Sequence, residues 1–165
     1  MSRLFRTILV PHDFSPDATI ALRVAARLGA ETRGRLVVLH AIAPVQPFVG
    51  VSPVAPAEWM PLQFAGPDVV SAVRRHLETI VRRAVPARGP KVTCRVVVAE
   101  PFQAILDAAR GATAVVMATL GRTGLPHLLL GSVAEKVVRH APVPVLTVRA
   151  RAAPRRRRRA RQARR

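Results

Sequence analysis

The sequence predicts an α/β domain: a doubly wound, five-stranded parallel sheet with helices on both faces. Three observations carry this expectation. Short apolar runs such as LVVLHAI (Leu36 to Ile42) are apolar almost throughout, as parallel strands covered on both faces are. Amphipathic segments of helical period lie between those runs. The resulting order, β-α-β-α-β-α-β-α-β, supplies a crossover helix for each parallel pair. In such a sheet ligands bind beyond the carboxyl ends of the strands.

Leu4 to Val10 reads as the first strand, ended by Pro11-His12-Asp13. Ser15 then offers a helix N-cap, Pro16 suits the first helical position, and Asp17 suits the positive helix end. Ile20, Ala21, Val24, Ala25 and Leu28 recur at helical spacing until Gly29 or Gly34 closes the helix. Leu36 to Ile42 is the second strand. Six prolines between residues 43 and 68 exclude a continuous helix or central strand, so this stretch reads as a long loop.

The next helix places Val69, Val73, Leu77, Ile80 and Val81 on one face, with Arg74, Arg75, Arg82 and Arg83 off it. Val92 to Ala99 is the third strand. Pro101 starts a short helix through Ile105 and Ala109, which Gly111 ends. Ala114 to Ala118 is the fourth strand, Ser132 to His140 the last helix, and Val143 to Val148 the fifth strand.

At 165 residues the chain fits one domain with a real core. No segment reaches the roughly 18–20 apolar residues of a membrane span, and no secretory signal is read at the N-terminus. The lone Cys94 forms no internal disulfide, and a reducing cytoplasm is the expected location. The net charge of +18 has two parts. Ten arginines and no acids lie between Arg149 and Arg165, which leaves +8 on the first 148 residues. Residues 1–149 are expected to form the domain and residues 150–165 a disordered Arg-rich tail with no apolar face to bury. Such a tail suits sequence-independent contact with nucleic acid or another polyanion, and its bland alternative is a solvated extension.

The chemistry concentrates between Val115 and Ser132 (VVMATLGRTGLPHLLLGS). A buried strand runs into Gly121 and Gly124, then Gly131-Ser132 opens a helix. Glycines allow close backbone approach and positive φ, and a helix start carries N–H groups that the helix cannot satisfy. This is how a backbone meets phosphate. Ser132 and Glu135 also spell S-x-x-E, a capping box, which would justify the serine structurally. Likewise Asp13 could simply brace the turn before the first helix, and the glycines could be turn residues. The five histidines show no metal-ligand spacing. There is no Walker sequence, no dinucleotide fingerprint after the first strand, and no nucleophile–base–orienter set.

The stretch from Ala118 to Ser132 resembles the nucleotide-binding signature of universal stress proteins, G-x2-G-x9-G-[S/T]. Its nine-residue spacer runs from Arg122 to Leu130. ILVPHDFSPDA, LVVLHAI and HAPVPVLTVR resemble other family segments, so the likeness spans residues 4–149. It implies strand order 3-2-1-4-5, a fold related to the adenine nucleotide alpha hydrolase-like group, and bound ATP with Mg2+ carried by the nucleotide. Carried over by residue, Pro11, His12 and Asp13 border the adenine, and Ala41 meets the base through its backbone. Met117, Ala118 and Gly121 line the ribose and α-phosphate. Gly131, Ser132 and Val133 give amides to the phosphates, with the Ser132 hydroxyl. Two positions depart from the pattern: Ala118 stands for the motif's first glycine, and Leu120 where the family often has histidine.

The resemblance further implies a homodimer that pairs last strands, with Pro142 and Pro144 limiting that edge to its later residues. The leading functional reading is a stress-response or signalling protein working through nucleotide-dependent conformation and partner choice. Two others stay open: a slow ATPase assisted by Asp13 or Ser132, and a nucleotide-free dimeric scaffold whose tail binds polyanions.

Overall fold

The computed structural model describes residues 5–44, 67–119 and 131–149. Its elements run β1 (Thr7–Pro11), α1 (Pro16–Thr32), β2 (Arg35–Ile42), α2 (Pro67–Ala84), β3 (Val92–Val98), α3 (Pro101–Ala109), β4 (Ala114–Ala118), α4 (Ser132–His140) and β5 (Val145–Val148). The five strands form one parallel sheet in the order β3-β2-β1-β4-β5. Strand order reverses between β1 and β4, which makes their seam the switch point of the sheet.

Alternation along each strand sends neighbouring side chains to opposite faces. Ile8, Val10, Val38 and Val116 join Leu22 and Ala25 of α1 and Leu77 and Val81 of α2 in one core layer. Leu9, Leu39, Val115 and Met117 join Ala104, Ile105 and Ala109 of α3 and Ala134 and Val137 of α4 in the other. Both faces are dry along the inner strands β1 and β4, which is why they read as continuous apolar runs, while the edge strands β3 and β5 expose Thr93, Arg95, Val98 and Leu146. Each fully buried Ile, Leu or Val contributes about 1.5–3 kcal/mol.

Helix α1 starts as its sequence requires. Ser15 is the N-cap, its Oγ accepts from Ala18 N–H at 3.0 Å, and Pro16 occupies the first turn. Gly29 lies within the helix and Gly34 just beyond it; the C-cap is Arg33, left-handed at φ 53°. Gly29 is buried against Leu36, and Gly34 against the Phe5 carbonyl.

Several boundaries differ from the sequence expectations. β1 begins at Thr7 and includes Pro11, and β5 begins at Val145: Pro142 and Pro144 have no N–H to give the ladder, although the Pro144 carbonyl accepts from Val115 N–H at 2.9 Å. Pro67 and Asp68 belong to α2 and not to the preceding loop, with proline tolerated in the first turn. Val69 is exposed, so the apolar stripe of α2 is buried only farther along, at Leu77 and Val81. The rest of the proline-rich loop beyond residue 44 and the tail 150–165 lie outside the described residues.

The β1–β4 seam is held at one end. Thr113 Oγ1 accepts from Thr7 N–H at 3.0 Å and donates to the Thr7 carbonyl at 3.1 Å, and Thr113 N–H also reaches that carbonyl. Two register pairs follow, Ile8↔Ala114 and Leu9↔Val115, where β1 and β2 share five.

Candidate functional site

Beyond Leu9 and Val115 the two strands part, and a cavity of about 240 Å³ opens at their carboxyl ends. Of the ten residues expected in the site, nine line it: Pro11, His12 and Asp13 after β1; Ala41 on β2; Met117 and Ala118 on β4; Gly131, Ser132 and Val133 at the start of α4. Gly121 lies outside the described residues, as do Leu120 and Gly124.

The turn after β1 is fixed by its own polar groups. His12 N–H donates to the Leu39 carbonyl at 2.8 Å, tying the turn to β2. The His12 ring is 3% exposed, and its Nδ1 accepts from Phe14 N–H at 3.1 Å. That bond places the ring proton on Nε2, 3.3 Å from Thr19 Oγ1. Burial lowers the His12 pKa to about 4; Asp13 opposes the shift, while His40 and His76 add to it. The neutral imidazole is thus a structural strut.

Asp13 Oδ1 accepts from Ser15 N–H at 3.0 Å, so the carboxylate braces the turn as well as lining the cavity. His40 Nδ1 lies 2.7 Å from the His12 carbonyl, and because a carbonyl only accepts, His40 is the donor there.

The opposite wall is closed by backbone. Thr119 N–H donates to the Val148 carbonyl at 3.0 Å, and Gly131 N–H returns to the Thr119 carbonyl at 2.7 Å. Gly131 is the N-cap of α4 at φ −72°, so no left-handed conformation is needed there. The expected capping box is absent. Gly131 supplies the cap without a side-chain bond, Ser132 is the first helical residue, and Glu135 pairs with Arg139 at 3.0 Å. The first helical bond runs from Glu135 N–H to the Gly131 carbonyl, so the helix provides no acceptor for the N–H groups of Ser132, Val133 and Ala134. Those amides and the exposed Ser132 face the cavity end of α4.

Six further residues line the cavity without having been singled out from sequence: Leu39, His40, Pro101, Ile105, Thr119 and Ala134. The usable signal was topological, since β2 and β3 end at the same edge of the sheet as β1 and β4. The lining is mainly apolar, with polar atoms at the Asp13 and Ser132 ends, a division that suits a flat base and an anionic group. Among the described residues no group of three or more His, Cys, Asp or Glu side chains could hold a metal ion. No described helix is long and apolar enough to cross a membrane.

The model of the universal stress protein family matches residues 4–149. A universal stress protein of Thermus aquaticus is 34% identical over 152 residues, covering 88% of this chain and all of its own length. One from Methanocaldococcus jannaschii is 29% identical over 148 residues, covering 88% of this chain and 83% of its own. Among solved structures, a second Methanocaldococcus jannaschii universal stress protein superposes with a TM-score of 0.69 at 26% identity, covering 91% and 99% of the two chains. The universal stress protein of Archaeoglobus fulgidus, solved in complex with dAMP, shares the fold at a TM-score of 0.58 and 23% identity, covering 87% and 98%. Sheet order, the matched span and these likenesses agree: the chain belongs to the universal stress protein family.

Proposed function

We propose that this protein binds ATP at the carboxyl ends of β1 and β4 and acts in stress response or signalling through nucleotide-dependent conformation and partner choice. The observation that carries the reading is convergence. Residues 11–13, 41, 117–118 and 131–133 are distant in sequence, yet they line one cavity. In this reading Asp13 and the backbone at Ala41 hold the adenine, while Met117 and Ala118 flank the ribose. The amides of Ser132 and Val133, with the Ser132 hydroxyl, take the phosphates. Mg2+ arrives with the nucleotide. Bound ATP supplies a triphosphate whose presence or absence distinguishes two states of the protein. That the same fold accommodates dAMP in the Archaeoglobus fulgidus protein supports an adenine nucleotide.

The deciding experiment is calorimetry of the full chain with Mg-ATP. One saturable site is expected, and absence of heat at saturating nucleotide overturns the reading.

A homodimer through β5 belongs to the same proposal. β5 is an edge strand, and Leu146 on it and Val138 on α4 are exposed large apolar residues. Light scattering is expected to give twice the chain mass, and a monomer at micromolar concentration counts against it. Polyanion contact by the Arg-rich tail is likewise proposed from its composition and is expected to weaken steeply with salt.

A further inference from the structure

At the opposite end of the sheet, where the strands begin, lies a second cleft of about 570 Å³. Four cations line it: Arg6 before β1, Arg33 after α1, Arg35 at the start of β2, and Lys91 just before β3. No acid is among its described lining residues. The ion pairs among the described residues, Arg110–Asp107 and Arg139–Glu135, both lie elsewhere. Four like charges gathered without a counter-charge raise the local potential, and a multivalent anion relieves it.

The cleft is also built to hold its donors in place. Arg35 Nε donates to Thr7 Oγ1 at 3.1 Å, which orients the guanidinium and leaves its terminal nitrogens for other acceptors. Thr7 is itself buried and bonded to Thr113, so this anchor is stiff. A Cβ at Gly34 would collide with the Phe5 carbonyl oxygen, so only glycine lets the chain turn between Arg33 and Arg35. Arg33 reaches the cleft from a left-handed backbone position, φ 53°.

We propose that this cleft is a second anion site, which takes a compact inorganic polyphosphate of the pyrophosphate or tripolyphosphate class. The charges meet around one hollow and do not form a stripe, which fits a small polyvalent anion better than a nucleic-acid backbone. No aromatic ring is among its described lining residues, so these offer nothing for a base to stack on. The site stands apart from the nucleotide reading, at the other ends of the strands.

The test is an NMR titration of the labelled full chain with inorganic tripolyphosphate at physiological ionic strength. Saturable shifts are expected at the amides of Gly34, Arg35 and Thr113. The double variant Arg33→Gln/Lys91→Gln, which changes two exposed side chains, is expected to bind about tenfold more weakly, in line with losing charge-assisted hydrogen bonds. Shifts confined to Ser132 and Val133 or to residues beyond Arg149, or equal affinity in the variant, overturn the proposal. A parallel titration with Mg-ATP reads the Ser132 and Val133 amides, so failure of either site is distinguished from failure of the other.

Discussion

Phe14 stacks on His40 with ring centroids 4.2 Å apart, and it does so from a left-handed backbone position at φ 68°. The same ring meets His76 of α2 edge-on at 4.9 Å and His12 at 5.8 Å. A bulky residue in this conformation carries a cost of about 1–2 kcal/mol, which the ring contacts offset. The strained residue immediately follows Asp13, so the stack also holds the turn that lines the cavity.

Substitution at Phe14 therefore separates ring from backbone. Phe14→Ala is expected to lower stability by about 2 kcal/mol, below the full Phe→Ala cost because the residue is only partly buried. Phe14→Gly should lose less than Phe14→Ala, by as much as about 1 kcal/mol, because glycine removes the left-handed strain. Urea unfolding of both variants checks this order.

His12 makes stability pH-dependent with a definite sign. Its pKa is about 4 in the folded chain against 6.5 for a free imidazole, so the unfolded chain binds the extra proton between those values. Stability is unaffected by this group above about pH 7 and falls as pH drops through 6.5 toward 4, by up to about 3 kcal/mol. His12→Gln is expected to flatten that slope, as read from denaturant midpoints at pH 7.5, 5.5 and 4.5. An equal slope in the variant would remove His12 as its source.

Ser132 is exposed and caps nothing, so Ser132→Ala should change stability by less than about 0.5 kcal/mol. Its affinity for Mg-ATP should fall by about tenfold, the worth of a hydrogen bond to a charged group. Calorimetry beside a thermal melt checks both. A stability loss above about 1 kcal/mol with unchanged binding would return the serine to a capping role.

Thr113 closes the lower end of the β1–β4 seam. Thr113→Val keeps the shape but takes away the acceptor for the N–H of buried Thr7. A loss of about 1–3 kcal/mol is expected, measured by urea unfolding.

The start of α1 was legible because Ser15-Pro16-Asp17 carries its own local chemistry, and the inner strands were legible because both faces of β1 and β4 are buried. The bounds of α4, Ser132–His140, match the sequence expectation, but its cap does not. S-x-x-E is a local pattern, but the bond from Gly131 N–H to the Thr119 carbonyl is tertiary and moves the cap one residue back. Nothing in the sequence marks Phe14 as left-handed, since that conformation is held by His40 and His76, far away along the chain. Of the nine converging residues, Ala118, Gly131 and Ser132 fall within the spaced motif, and the other six follow only from the family resemblance. Arg6, Arg33, Arg35 and Lys91 have no such pattern, and only the common start of three strands unites them.

The unequal pairing along β1 has a mechanical consequence. Its five pairs with β2 make one stiff plate, while only two pairs and the Thr7–Thr113 clasp join it to β4. Splaying β4 and β5 away from β1 would widen the cavity while bending the ladder at its shortest rung set. The fold thus concentrates its compliance on one line, and a ligand that bridges Asp13 and Ser132 would sit across that line like a staple.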